Sequence, residues 1–133
     1  MRSPRDNTWE LTGVLVREEY RMPWTPAAQT PGLESADADG VEAKYFGKSP
    51  GSGPFAYLVR ILPGATMGAR CHSANLMQFV LCGRATIDGS PFTAGWYAYF
   101  PAGRPVGSIA AGEEECRVME IFDGPPRLQP VSR

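Results

Sequence analysis

The sequence predicts an all-β protein built as a double-sheet jelly roll, and three observations lead to this prediction. About nine or ten short apolar or β-branched runs follow one another along the 133 residues. Glycine and proline, with 15 and 13 residues, interrupt these runs at the density of tight turns. No segment shows the apolar periodicity of a helix of normal length. Many short strands in one small domain are typical of two packed antiparallel sheets.

The N-terminal third is predicted as a tail, one strand and a long loop. Residues 1–7 are polar, and Trp9 to Val16 has the β-branched and aromatic content of a strand. Residues 22–40 are rich in Pro, Ala, Gly and Asp and predict an irregular loop. The large apolar side chains of Met22 and Trp24 favour an ordered flap, with a mobile linker as the alternative. We therefore divide the chain into residues 1–40, an N-terminal strand and loop that could serve as flap or dimer arm, and residues 41–133, the β-barrel.

The remaining runs predict the strands of the barrel. Alternation in the strand Phe55 to Leu62 places Arg60 on a largely apolar face, where it needs a polar partner. Glycine turns separate this strand from its neighbours, and an acidic loop precedes the last one. The other predicted strands are Val41 to Phe46, Leu76 to Leu81, residues 85–87 and 91–95, Trp96 to Phe100, Ser108 to Ala110, and Cys116 to Phe122.

Charge and composition exclude several classes of function. The net charge of −1 leaves no basic footprint for nucleic acid. No apolar run approaches the ~20 residues of a membrane helix, and the N-terminus lacks the apolar core of a signal peptide. The odd set of Cys71, Cys82 and Cys116 contains no CxxC pair, so reduced thiols in a cytoplasmic protein are predicted.

The most informative stretch runs from Pro63 to Gly89 and holds His72, the single histidine. Its spacing from Gly64 to Gly83 resembles the first motif of the cupin superfamily, G-x5-H-x-H-x3-E-x6-G. Downstream, the frame formed by Gly95, Pro101 and Gly103 is similar to the second cupin motif. The resemblance covers roughly residues 41–122. Trp24 and residues 40–44 resemble the lead-in of ChrR-like cupins.

The resemblance implies a metal site that this chain lacks in its usual form. In the family, two histidines, a glutamate and a later histidine hold the metal. The matching positions here are Arg70, His72, Leu76 and Val106. Arginine has no lone pair to donate, and leucine and valine have no donor atom. Since such a site needs about three protein ligands, the resemblance predicts a cupin scaffold without a metal cofactor.

The same resemblance identifies a candidate pocket. Alternation from position 76 points Gln78 and Val80 inward with Leu76. His72, Gln78 and Arg70 are the predicted catalytic residues. Predicted substrate-binding residues are Arg60, Leu76, Val80, Tyr97, Tyr99, Val106 and Glu120. Either face of the strand Trp96 to Phe100 would supply aromatic walls, and the direction of Glu120 is open.

Each candidate residue has a structural alternative. A lone histidine is commonly structural or exposed, and Gln78 could satisfy a backbone group. Arg70 could be a solvated loop residue, and the aromatic strand at 96–100 could be ordinary core.

Three functions remain. The first is a metal-independent isomerase, cyclase or lyase that uses His72 for acid–base chemistry on a small, partly apolar molecule. The second is a metal-dependent cupin dioxygenase with substituted ligands, in which His72, Gln78 and Glu120 bind iron. The third is a non-catalytic cupin that binds a small ligand. The sequence also predicts a homodimer, formed when the strand Trp9 to Val16 joins a neighbouring sheet edge.

Overall fold

The computed structural model describes residues 8–11, 14–33, 39–49 and 51–130. These residues form two facing antiparallel sheets and an N-terminal hairpin. The predicted all-β, two-sheet architecture is therefore confirmed. No helix in the described ranges is long and apolar enough to cross a membrane.

The larger sheet has six strands in the order β10-β7-β12-β5-β4-β3. Its central strands, β12 and β7, pair over nearly their whole length, with Glu120 directly opposite Gln78. The register shifts between Arg117 and Val118, so Leu81 of β7 has no opposite residue. The strands of this sheet are β3 (Thr25–Pro26), β4 (Val41–Tyr45), β5 (Phe55–Ile61), β7 (Leu76–Cys82), β10 (Tyr97–Phe100) and β12 (Cys116–Phe122).

The smaller sheet has four strands in the order β6-β11-β8-β9. These strands are β6 (Thr66–Met67), β8 (Arg84–Ile87), β9 (Ser90–Thr93) and β11 (Ile109–Ala111). At the turn from β7 to β8, Gly83 has a φ of +89°, and a Cβ there would overlap the Glu115 carbonyl oxygen. Glycine is therefore required at this turn.

The core lies between the two sheets. Alternating residues of β5, β7 and β12 point inward and meet side chains of the smaller sheet such as Met67, Phe92 and Ile109. In β5 the inward face carries Tyr57, Val59 and Ile61, so Arg60 faces away from the core.

Several predicted elements differ in detail. The single strand predicted for Trp9 to Val16 is instead a pair of strands, β1 (Thr8–Leu11) and β2 (Val14–Arg17). The predicted loop at 22–40 contains the short strand β3. Two single-turn 3-10 helices, Glu19–Arg21 and Ala27–Gln29, were not predicted. The tail at 1–7 and residues 34–38 lie outside the described residues.

The segment after β2 packs on the outer face of the larger sheet. The half-buried Trp24 ring lies against three cations, 4.4 Å from Lys44 Nζ and 4.2 and 5.3 Å from the guanidinium carbons of Arg60 and Arg117. Lys44 Nζ also donates to the Glu19 carboxylate at 2.9 Å. These contacts tie residues 19–24 to strands β4, β5 and β12.

Candidate active site

Four polar side chains are buried in the apolar interior between the sheets. Arg70 and His72 lie in the loop after β6, Gln78 on β7 and Glu120 on β12. Arg70 and His72 are each 2% exposed, and Gln78 and Glu120 are fully buried. We call these four residues the buried quartet. The structure brings together three predicted catalytic residues and Glu120, whose inward direction the sequence left open.

The Arg70 guanidinium and the Glu120 carboxylate form a two-pronged ion pair. Arg70 Nη1 donates to Glu120 Oε1 at 3.0 Å, and Nη2 donates to Oε2 at 2.7 Å. Gln78 Nε2 donates to the same Oε2 at 2.6 Å. Charges so deeply buried require this degree of pairing. The alternative that Arg70 is a solvated loop residue is therefore wrong.

His72 contributes a ring that is buried but has no polar partner in the protein. Neither Nδ1 nor Nε2 is hydrogen-bonded by any described group. The ring packs edge-on against Phe122, with 4.8 Å between the ring centroids. Gln78 Oε1 and Arg70 Nε are likewise buried without a hydrogen-bond partner in the described part of the chain. The quartet thus holds unpaired donors and acceptors around its saturated ion pair, as expected for a polar binding point.

Electrostatics fix the charge states of the quartet. Burial, reinforced by the positive Arg70 and only partly opposed by Glu120, lowers the pKa of His72 from 6.5 to about 4. The imidazole is therefore neutral at pH 7. Burial alone raises the pKa of Glu120, but the charge and hydrogen bonds of Arg70, with the Gln78 hydrogen bond, outweigh burial and hold that pKa below its ordinary value.

Backbone hydrogen bonds on both sides fix the loop that carries Arg70 and His72. Arg70 pairs with Val106 through N–H···O contacts of 3.0 and 2.6 Å, and the Gly103 N–H donates to the His72 carbonyl at 2.9 Å. On the other side, the Gln129 N–H donates to the Cys71 carbonyl at 2.9 Å. The loop is thus held between residues 103–106 and the C-terminal segment.

A cleft of about 390 Å³ opens to solvent near this site. Tyr57 lines the cleft and contacts Phe122 edge-on, with 5.8 Å between centroids. Phe122 in turn contacts His72. The cleft is lined by Pro31, Gly32, Tyr45, Gly51, Phe55, Tyr57 and residues 125–128. Tyr57 and Phe122 therefore separate the cleft from His72.

Three of the predicted substrate-binding residues face away from the interior. Arg60 lies on the outer face, where it pairs with Glu42 and stacks on Trp24. Tyr97 and Tyr99 are 53% and 51% exposed, because the inward positions of β10 belong to Ala98 and Phe100. Leu76, Val80 and Val106 are buried in the core as expected.

The sequence analysis missed Phe122 and Tyr57 as neighbours of the site. The signal for Phe122 was present, since alternation from an inward Glu120 also points Phe122 inward. For Tyr57, the two faces of β5 were equally apolar in sequence, and only the packing chooses between them.

The donor set does not fit the metal that the cupin resemblance implies. Both Glu120 oxygens accept hydrogen bonds from Arg70 or Gln78, which leaves His72 as the uncommitted ligand. Within the described ranges, no group of three or more His, Cys, Asp or Glu residues lies close enough to hold an ion. The buried guanidinium would also repel a cation at this point.

Comparisons with known proteins agree on one family and fold. The model of the ChrR Cupin-like domain matches residues 15–123. A search of curated proteins finds no significant match.

Solved structures with the same fold include several enzymes. The polyketide cyclase RemF from Streptomyces resistomycificus is 15% identical, with a TM-score of 0.65 over 89% of this chain and 83% of RemF. A putative acetylacetone dioxygenase from Methylibium petroleiphilum is 18% identical, with a TM-score of 0.63 over 92% and 91%. Rhodobacter sphaeroides SigE in complex with the anti-sigma ChrR gives 20% identity and a TM-score of 0.54, over 64% of this chain and 46% of the matched chain. At these identities the likeness shows the fold alone.

Proposed function

Because the chain belongs to the ChrR Cupin-like domain family, we propose that it is a cupin enzyme performing metal-independent acid–base chemistry on a small organic molecule. The substrate is partly apolar and reacts in the interior between the sheets. Isomerisation and cyclisation are the reaction types that need no group beyond those of the buried quartet.

The observation that carries this proposal is the state of His72. Its ring is buried and neutral at pH 7, and neither nitrogen is used by the described protein. A structural histidine is normally held by a hydrogen bond to at least one ring nitrogen. A neutral imidazole with a free lone pair is the form that a general base requires.

The other unpaired atoms supply complementary contacts. Arg70 Nε–H is a donor that can stabilise a substrate oxygen as it gains negative charge. Gln78 Oε1 is an acceptor suited to a substrate hydroxyl group. Both groups are fixed by their bonds to Glu120, so they cost little reorganisation when the substrate reacts. Glu120 acts here as a positioning residue.

This donor–acceptor pattern suits a 1,3-dicarbonyl compound, whose enol form presents one hydroxyl and one carbonyl oxygen. His72 would take a proton from the carbon between the carbonyls, and the electron pair would move to oxygen as an enolate. The imidazolium would then return the proton at another position, so the protons balance. The names of two fold neighbours support this class, since acetylacetone is a 1,3-diketone and polyketides carry alternating carbonyl groups.

The solvent cleft is the proposed entry route. A molecule in the cleft meets the Tyr57 ring first and reaches His72 only when the Phe122 ring turns aside. Such a gate would keep water from the enolate during turnover.

The test follows deuterium uptake at the carbon between the carbonyls of acetylacetone by ¹H NMR. We expect the wild-type protein to accelerate exchange over buffer, and His72→Gln to lower the enzymatic rate roughly 10²–10⁴-fold. Gln78→Leu should lower the rate less, because it removes orientation rather than the base. A folded His72→Gln variant that exchanges at the wild-type rate would contradict the assignment of His72 as base.

A second readout addresses the ligand directly. Mass spectrometry of the protein released from native conditions should detect a bound organic molecule, or binding of added 1,3-diketones. Binding without exchange would favour the non-catalytic cupin, and stoichiometric metal bound through His72 would favour the dioxygenase.

A further inference from the structure

The outer face of the larger sheet is divided into a covered half and an open half. Over β4, β5 and β12, Trp24 and its three cations cover the sheet. Over β7 and β10, no described residue plays this part. Large side chains on that half are exposed instead: Phe79 39%, Leu81 52%, Tyr97 53% and Tyr99 51%.

These side chains form one continuous patch. Tyr97 lies opposite Phe79 across the β10–β7 pair, with 4.8 Å between their ring centroids. Tyr99 lies opposite Met77 in the same register. On the far side of β7, the half-buried Met119 and Ile121 of β12 extend the patch. We call the outward side chains of Met77, Phe79, Leu81, Tyr97 and Tyr99 the open face.

We propose that the open face is the contact surface for a second copy of this chain. The four most exposed side chains leave roughly 300–400 Å² of surface in solvent, taking ~150–250 Å² for each aromatic group. This approaches half of the ~800 Å² that each partner contributes to a stable interface. The half-buried Met119 and Ile121 and a polar rim supply further area.

The composition of the open face favours a second copy over a different protein. The patch contains no Lys, Arg, Asp or Glu, and aromatic residues and Met are the residue types enriched in interface cores. A two-fold axis would place this surface against itself, so apolar groups meet apolar groups without a complementary charge pattern. A distinct partner is normally selected by charges that this patch lacks.

The edge of the sheet supports the same conclusion. β10 is the terminal strand of the six-stranded order within the described residues. Its residues, Tyr97 to Phe100, include no proline or charge of the kind that protects a free edge. A second copy seated on β7 and β10 would shield this edge. The contact would thus involve the sheet rather than the N-terminal strand that the sequence suggested.

The test is the solution mass of the full chain at about 1–100 µM by light scattering after size-exclusion chromatography. We expect twice the 14.4 kDa chain mass. The double variant Leu81→Lys/Tyr97→Lys places four like charges in a two-fold contact and should weaken the dimer at least ~100-fold. Tyr20→Lys is the matched control, because Tyr20 is 76% exposed and lies outside the open face.

Circular dichroism establishes that each variant is folded, and Phe79→Ala provides a milder variant if the lysine pair is not. A wild-type monomer at 100 µM would overturn the proposal. So would a dimer that survives the lysine pair, or one that is lost only when residues 1–17 are removed. A photo-crosslinker at position 97 should link to β7 or β10 of a second copy; linkage only to another protein would also refute it.

Discussion

The lowered pKa of His72 predicts that the protein loses stability between pH 7 and pH 5. In the unfolded chain the imidazole titrates near 6.5, whereas in the folded chain its pKa is about 4. As the pH falls below 6.5, the unfolded state binds the proton first, so unfolding is favoured. The loss continues until the folded state also binds the proton, near pH 4.

The magnitude follows from the same two values. The full difference corresponds to about 3 kcal/mol in the free energy of unfolding, and about 2 kcal/mol of it is lost between pH 7 and pH 5. No second histidine in the chain titrates in this interval, because the sequence contains one. The Glu120 carboxyl, with its lowered pKa, stays ionised throughout the interval.

Urea denaturation at pH 7, 6 and 5 measures this loss, with His72→Gln as the control that cannot titrate there. We expect the wild-type free energy of unfolding to fall by about 2 kcal/mol, and that of His72→Gln to stay nearly flat. A ¹H NMR titration gives the pKa of the single histidine without any assignment problem. Equal pH dependence of both proteins, or a measured pKa near 6.5, would refute the burial argument.

Three further predictions concern the charges of the molecule. Arg70→Met should lower the free energy of unfolding by about 3–5 kcal/mol, because it leaves the Glu120 carboxylate buried without its cation; adding Glu120→Gln should recover part of this loss, as measured by urea denaturation. Elemental analysis of protein purified without added metal should find far less than one equivalent of Fe, Mn, Ni, Cu or Zn, and a chelator should leave the Tm unchanged; one bound equivalent would contradict the donor-set argument. Trp24→Ala should lower the free energy of unfolding by about 2 kcal/mol through loss of three cation contacts, and a smaller loss than in the control Trp96→Ala, whose ring has no described cation contact, would speak against these contacts.

The strands were predictable because turn residues and alternation are local properties. Cys116 to Phe122 was placed with its observed bounds, and Phe55 to Leu62 differs by one residue. The division of Trp9 to Val16 into two strands was not predictable, since its β-forming residues run through the whole segment. Local pattern gives the presence of strands but not where a hairpin turns.

The site was predictable only where a motif fixed the positions. The cupin spacing led to Arg70 and His72, and alternation from position 76 led to Gln78. The ion pair of Arg70 with Glu120 joins residues 50 positions apart, a relation that no local pattern contains. The directions of Tyr97 and Tyr99 were open for the same reason, because both faces of β10 carry aromatic residues and packing decides between them.

The seat of Trp24 makes the N-terminal segment a counter-ion as well as a cover. Lys44 has only 4% of its side chain exposed, and its carboxylate partner, Glu19, comes from this segment. A shortened chain that begins at residue 41 would lose the indole and that carboxylate together. The bared sheet would then carry three cations beside the open face, a basic and aromatic surface of the kind that binds polyanions and resins nonspecifically. Shortening this protein at its N-terminus would thus change its surface chemistry before it changed its interior.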